Sequence, residues 1–178
     1  MLLRHRLPLV ALGVLALGGM LGGCAPDPAP TPSPTPAFAS DEEAFAAAEE
    51  VYRAYNDAVN ARNSGLSSPD PQDFLISNAL EGDIEAQRYL DSLGVRLEGS
   101  IFVKSFAPSI EAHFETSTEL TAHVCLDLSA TRALDEGGTD VTPVERPSVI
   151  AQIVTMRHQE QRFLITDETE GTDESCAP

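Results

Sequence analysis

Proline stands at every second position from Pro26 to Pro36. Each proline ring fixes φ near about −65° and removes a backbone donor, so this stretch can join neither a helix nor the middle of a sheet. Alternating proline instead favours extended polyproline II at about 3.1 Å per residue. The sequence therefore predicts a semi-rigid stalk at residues 24–39 and one folded domain at residues 40–178.

Residues 1–23 have the three-part layout of a secretory signal peptide. Arg4, His5 and Arg6 form a positive region, and an uncharged apolar run from Leu7 to Leu21 follows. That run is short for a membrane-spanning helix, which needs about 20 apolar residues. We therefore predict a leader that is removed on export.

Leu21-Gly22-Gly23-Cys24 resembles the lipobox of bacterial lipoproteins, in which leucine and two small residues precede the modified cysteine. The resemblance implies a diacylglycerol on the Cys24 thiol, cleavage before Cys24, and a palmitate-bearing chain on the extracytoplasmic face of the cell membrane. Two acyl chains hold a protein stably, at roughly 0.8 kcal/mol per buried CH₂. The alternative is an uncleaved signal anchor with an incidental cysteine.

The net charge excludes some partners. The chain has 11 basic and 28 acidic residues and a net charge of −17, which becomes −19 when Arg4 and Arg6 leave with the leader. Such a surface repels phosphate backbones and anionic lipid headgroups. We expect no nucleic-acid partner, and membrane association through the covalent anchor alone.

The folded domain opens with a strong helix signal. Ser40 and Glu43 form a capping box, and Gly65 suits a stop just after Asn63. One apolar face follows at three- and four-residue steps: Phe45, Ala48, Tyr52, Tyr55 and Val59.

Two shorter helices are predicted next, from Pro71 to Leu80 and from Gly82 to the terminator Gly94. The expected buried residues of the second are Ile84, Tyr89, Leu90 and Leu93.

The second half changes to the period of strands. Residues 120–128 alternate almost strictly between apolar and polar. Further strands are expected at residues 100–106, 110–116, 148–157 and 161–167. We interpret residues 168–178 as an acidic tail.

Helices followed by a meander of strands predict an α+β domain with N-terminal helices packed on a curved antiparallel sheet. This element order resembles the NTF2-like (cystatin-like cone) fold. Val124-Cys125-Leu126-Asp127, the run from Pro147 to Val154, the final hairpin and the terminal cysteine resemble small actinobacterial lipoproteins of that fold. Members often end the last strand with tryptophan, where this chain has Phe163 nearby. The fold often dimerises through its sheet, which leaves a homodimer open.

Cys125 and Cys176 remain once Cys24 is used by lipid, an even pair in an oxidising compartment. The strand alternation turns Cys125 away from the helices, together with His123 and Asp127. A tail folded over that outer face would bring Cys176 to Cys125 in a disulfide. The alternative is two free thiols.

The sequence gives little support for a metal site or a catalytic nucleophile. His113, His123 and His158 fall on different predicted strands without a ligand spacing. No G-x-S-x-G elbow and no phosphate-binding glycine loop occur in the sequence. The run from Asp167 to Glu174 lacks the order of a calcium loop and is interpreted as a solvated charge run. We expect no metal, no cofactor and no catalytic residue.

Tyr52 and Tyr55 are the pocket candidates. Isomerases and dehydratases of the cone fold use an Asp or His base with a tyrosine donor, and both tyrosines lie on the helix face that would line such a cavity. A helix-face tyrosine more often packs in the core. His123 and Asp127 point outward, so this enzyme hypothesis lacks an inward base.

The sequence thus leaves three hypotheses. The first is a non-catalytic module that binds an envelope protein or a small apolar ligand. The second is a small cavity enzyme of the isomerase or dehydratase type, and the third is a structural envelope lipoprotein. A carboxylate or His within hydrogen-bond reach of Tyr52 or Tyr55 in an enclosed pocket would favour the enzyme. An open, shallow or apolar-filled cavity would favour the other two.

Overall fold

The structure is a computed structural model that describes residues 37–109, 118–172 and 176. The predicted leader, Cys24, most of the stalk and the strand predicted at residues 110–116 lie outside the described residues. Of the helices in the described part, none combines the length and apolar character that crossing a membrane requires.

Helix α1 spans Asp41–Asn63 and begins at the predicted cap. Ser40 Oγ accepts the Glu43 N–H at 3.2 Å, and the Glu43 carboxylate accepts the Ala39 N–H at 2.8 Å. The first bond of the capping box therefore forms, while the reciprocal bond reaches one residue further back. Gly65 adopts a φ of +79° just after the helix, as the predicted stop requires.

The buried face of α1 is rotated slightly from the predicted face. Ala48 and Tyr52 are buried as expected, but Phe45, Tyr55 and Val59 lie at the margin of the interface. The fully buried residues of the helix are Ala44, Ala48, Tyr52, Asn56 and Ala58. Because alanine is small, the helix backbone lies close to the sheet and Tyr52 becomes the large buried side chain of this face.

The two shorter helices predicted at residues 71–80 and 82–93 are wrong. Pro71–Phe74 forms only a 3-10 turn, and α2 then runs unbroken over Ser77–Leu93. Gly82 lies inside α2 and is exposed. The cooperative hydrogen bonding of the long helix outweighs the roughly 1 kcal/mol that a glycine costs there.

Helix α2 ends as predicted at Gly94, which adopts the left-handed conformation with a φ of 62°. Its predicted burial is wrong in part, since Tyr89 is 65% exposed and Leu93 is 55% exposed. Ile84 and Leu90 are partly buried. The domain covers only a narrow stripe of this helix.

Two antiparallel sheets follow the helices. Their strands are β1 (Arg96–Gly99), β2 (Phe102–Pro108), β3 (Glu119–Asp127), β4 (Thr131–Leu134), β5 (Val149–Gln159) and β6 (Arg162–Glu170). β1 pairs with β4, and the other four strands form one sheet in the order β2-β3-β5-β6. The fold is therefore α+β, with two helices packed against antiparallel sheets.

Strand β3 keeps the predicted alternation. The side chains that join the core are Leu120, Ala122, Val124 and Leu126. Ala122 pairs with Val154 and Val124 with Gln152, so the inner face continues across β5. β5 lies between β3 and β6, which confirms the central position that its apolar character predicted.

The predicted tail is wrong in its first residues. β6 continues to Glu170, and Glu168 pairs with Val154 of β5 within the sheet. Backbone pairing at the sheet edge outweighs the polar composition of this stretch. The short strands β1 and β4 were not predicted, because four residues hold too little of a period to be recognised.

Candidate functional site

A polar cluster joins α1 to the sheet. It consists of Tyr52, Tyr55, Gln152 and Glu168, and we call it the tyrosine–glutamate cluster. The Tyr55 hydroxyl donates to Glu168 Oε2 at 3.0 Å. The Tyr52 hydroxyl lies 3.1 Å from Gln152 Oε1 and 3.3 Å from Glu168 Oε1. Because a hydroxyl has one proton, Tyr52 donates to one of these two oxygens at a time.

The periods of helix and strand assemble this cluster. Tyr52 and Tyr55 are three residues apart on α1, and their ring centroids are 5.7 Å apart. On the sheet, Gln152 points inward opposite Val124, and Glu168 points inward opposite Val154. Two adjacent strands therefore present one amide and one carboxylate to the two hydroxyls.

A bulge in β6 gives Glu168 its inward direction. Ile165 pairs with Met156, whereas Asp167 pairs with Thr155, so Thr166 is the extra residue in the ladder. The Thr166 hydroxyl donates to the Thr155 carbonyl at 3.1 Å and holds the bulge in place. Strict alternation from Ile165 would turn Glu168 outward, so the sequence gives no signal for this residue.

Burial dominates the electrostatics of the cluster. It raises the pKa of Glu168, and the neighbouring carboxylates Asp83 and Asp167 act in the same direction, against the hydrogen bonds from the two tyrosines. Burial first, and the Glu168 charge second, also raise the pKa of Tyr52 and Tyr55. Both phenols therefore remain neutral donors across the physiological range.

An ion pair adjoins the cluster. Arg62 on α1 forms two hydrogen bonds to the Asp83 carboxylate on α2, at 2.7 and 3.0 Å. Gln72 in the 3-10 turn donates to Asp83 Oδ2 at 3.1 Å. The Asp83 side chain is only 8% exposed, so the bidentate geometry and the added amide compensate for its desolvation.

The space around the tyrosines is filled. The Phe106 ring lies 5.7 Å from that of Tyr52, and the Phe74 ring lies 6.3 Å from that of Tyr55. Tyr52 is 1% exposed. Four depressions on the described surface are lined by residues outside the cluster. The carboxylate that the enzyme hypothesis lacked is present, beside two tyrosines whose rings pack against other aromatic rings.

His123 and Asp127 lie on the outer face of the sheet, as predicted from alternation with Val124 and Leu126. The Asp127 carboxylate accepts the Ser129 N–H at 2.8 Å, and hydrogen bonds from Ser129 lower its pKa. No group of three or more His, Cys, Asp or Glu side chains in the described ranges is placed to hold a metal ion. His113 lies outside those ranges.

Cys125 and Cys176 form a disulfide, with their Cα atoms 5.5 Å apart and a sequence separation of 51. Cys125 lies on the outer face and is 4% exposed. After β6 the Gly171 N–H still donates to the Ala151 carbonyl at 2.9 Å, so the chain follows β5 before Cys176 reaches Cys125. Neither sulfur is free to act as a nucleophile.

No protein-family model matches the chain, and no curated protein matches its sequence. Among solved structures it is similar to the intermembrane space region of the chloroplast protein ARC6. The TM-score is 0.47 and the identity 12%, over 71% of this chain and 95% of that one. A likeness this weak supports no statement about activity, so function has to be inferred from the residues of this chain.

Proposed function

We propose that this chain is a bacterial lipoprotein, held on the extracytoplasmic face of the cell membrane by a diacylglycerol on Cys24. Its domain, of the NTF2-like cone type, binds an envelope protein or a small apolar ligand without catalysis. The observation on which this depends is that Tyr55 donates to Glu168, and Tyr52 to Glu168 or Gln152, while aromatic rings pack against both tyrosines. Polar groups that satisfy one another stiffen a core.

The disulfide supports the extracytoplasmic location. Disulfides form and persist in oxidising compartments and are rare in the reducing cytosol. The Cys125–Cys176 bond agrees in this respect with the predicted leader and lipobox, which lie at the other end of the chain.

The start of the described chain packs against the sheet. The Phe38 ring stacks on that of Phe163 at 5.5 Å, and the His158 ring meets Phe38 edge-on at 4.9 Å. Phe38, two residues after the last proline of the alternating run, therefore belongs to the domain.

Element order supports the cone type. The long helix α1 comes first, and the four-stranded antiparallel sheet that follows covers it with its inner face. Phe163 is 2% exposed and belongs to the core near the end of the chain, where members of the family often have tryptophan.

Lipid attachment is tested by metabolic labelling with a palmitate analogue. We expect labelled wild-type protein in the membrane fraction, and loss of the label in Cys24→Ala. Cys176→Ala is the control, because it removes a cysteine outside the predicted lipobox and should keep the label. Equal labelling of Cys24→Ala and wild type would reject the anchor.

Binding is tested by crosslinking in intact envelopes. Photoreactive residues at exposed positions such as Ala46, Ala54 and Tyr89 sample separate surfaces of the domain. A binding module should give discrete adducts from one surface. Absence of adducts from every surface would reject the binding function and favour a structural role.

A second candidate is an isomerase or dehydratase, favoured by one observation. Glu168 is partly exposed, its pKa is raised by burial, and two tyrosine donors contact it. In such an enzyme Glu168 removes a proton next to a carbonyl group, and a tyrosine donates to the carbonyl oxygen. Deuterium uptake from heavy water into a panel of enones and β-hydroxy thioesters tests this. Equal uptake with wild type and Glu168→Gln would reject it.

A further inference from the structure

A groove lies between the first half of α1 and the end of β2. It encloses about 410 Å³. It is lined by the apolar residues Phe45, Ala46, Phe106 and Pro108 and by the acidic residues Asp41, Glu42 and Glu49. The other three depressions are lined mainly by polar, charged or glycine residues. This groove is therefore the one of the four in which most of the lining residues are apolar.

The Glu42 carboxylate of the groove keeps its negative charge. Hydrogen bonds from the backbone of Glu42 and from Ser40 hold the pKa of the Glu42 carboxyl below its usual range. Glu49 is paired with Arg53 at 2.7 Å, which leaves the exposed Glu42, and the partly buried Asp41 beside it, to meet a partner's charge. The described residues that line the groove include no basic side chain.

Strand β2 adds a main-chain feature to the groove. It forms the edge of its sheet, with β3 as its neighbour. Ser109 donates its N–H to the Thr121 carbonyl at 2.9 Å and Ala107 pairs with His123, so the ladder turns the N–H and C=O of Phe106 towards the free edge. Pro108 has no N–H and ends this open stretch. A short extended peptide fits such an edge, and a long strand does not.

Charge decides the kind of occupant. Two copies of the mature chain, at −19 each, repel one another, and anionic lipid is repelled in the same way. A basic partner meets the opposite field, which speeds encounter and sets orientation. We propose that the groove binds a short basic peptide segment with apolar side chains, which belongs to another envelope protein. This rests on the proposed binding function and specifies the chemistry of its partner.

The experiment uses the exported chain with Cys24→Ser, which keeps the stalk and domain and removes the lipid. The probes are fluorescent peptides of one length in which leucine alternates with arginine, glutamate or serine. Only the arginine peptide should bind measurably, and added salt should weaken it. Ala46→Arg, in the groove, should weaken binding at least about tenfold, or about 1.4 kcal/mol.

The matched control is Ala54→Arg. Ala54 is also an exposed alanine of α1, but it lines none of the four depressions. Ala54→Arg makes the same charge change in the same helix. It should weaken binding less than about threefold, which is the effect of the changed net charge alone. Equal loss in Ala46→Arg and Ala54→Arg, or equal binding of the glutamate peptide, would overturn the groove as the site.

The envelope crosslinks separate the two proposals. An adduct from a photoreactive residue at Ala46 with a protein that supplies a basic segment supports the groove. A discrete adduct from Tyr89 but not from Ala46 overturns the groove and leaves the binding function intact. Failure of adducts from all three positions overturns both.

Discussion

Tyr55 on α1 donates a 3.0 Å hydrogen bond to Glu168 on β6, 113 residues further along the chain. The bond connects the first helix to the last strand of the described sheet. Tyr52 and Gln152 extend it to β5, and the Arg62–Asp83 pair beside it joins α1 to α2. Helix–sheet packing in this domain therefore depends on a satisfied polar cluster as well as on apolar contacts.

Glu168→Gln is expected to change the pH dependence of stability. Because burial raises the pKa of Glu168, the folded protein holds this proton more tightly than the unfolded chain. The stabilisation is complete below the ordinary carboxyl value of 4.5 and is lost as pH rises through the raised folded-state pKa. Glutamine cannot titrate. The stability of the variant relative to wild type should therefore increase as pH rises from 4.5 through the raised pKa of Glu168.

Urea unfolding of both proteins at a series of pH values measures the difference. Glu170→Gln serves as the control, because Glu170 is exposed two residues further along the same strand. It should follow the wild-type curve. A constant difference between Glu168→Gln and wild type at all pH values would contradict the assigned effect of burial.

Tyr52→Phe is expected to destabilise the protein by about 1–3 kcal/mol. The change removes the donor that Gln152 and Glu168 share, without opening a cavity. Tyr89→Phe makes the same change at a side chain that is 65% exposed, and should stay within about 0.5 kcal/mol of wild type. Urea midpoints measure both. Equal stability of the two variants would contradict a structural role for the Tyr52 hydroxyl.

Loss of the disulfide is expected to cost about 4 kcal/mol, the chain-entropy value for the loop between Cys125 and Cys176. Cys176→Ser and reduced wild type should unfold at the same urea concentration, below that of oxidised wild type. Mass spectrometry without reduction provides an independent check, since neither Cys125 nor Cys176 should react with an alkylating agent. An unchanged midpoint on reduction would show that the loop closure contributes nothing.

Replacing either of two glycines by alanine should change the stability of the protein, but in opposite directions. Gly99 has a φ of +97°, and a Cβ there would strike the backbone carbonyl of Ala130. Gly99→Ala should therefore destabilise by more than about 2 kcal/mol. Gly82 lies inside α2 with open space around it, and Gly82→Ala should stabilise by about 0.5–1 kcal/mol. Thermal unfolding measures both, and destabilisation by Gly82→Ala would contradict the unbroken helix.

Features encoded by neighbouring residues were predictable. The start of α1 follows from a hydrogen bond between Ser40 and Glu43, three residues apart. The alternation of β3 separates Val124 from Cys125, which placed one in the core and the other on the outer face. The α+β class follows from the change of period between the halves of the chain. In each case the deciding contact or period lies within a few residues.

Other features depend on distant residues. The sequence around Gly82 predicts the start of a helix, yet continuous helical turns on both sides keep this residue inside α2. Glu168 belongs to an acidic stretch that resembles a solvated tail. Glu168 reaches the tyrosines because the bulge at Thr166 reverses which residues of β6 face inward. The bulge is defined by pairing with Thr155 on the partner strand, so it cannot be recognised from β6 alone.

The sequence by itself determined the helix start, the alternating strand and the outward cysteine, because local hydrogen bonds and side-chain periods decide these. It also contains the linear patterns on which the proposed lipid anchor and stalk rest, Leu21 to Cys24 and the alternating prolines. Only the tertiary structure decided that Glu168 meets Tyr52 and Tyr55, and that Phe45 and Phe106 share a groove. Residues far apart in the chain meet there through strand register, which no local pattern records.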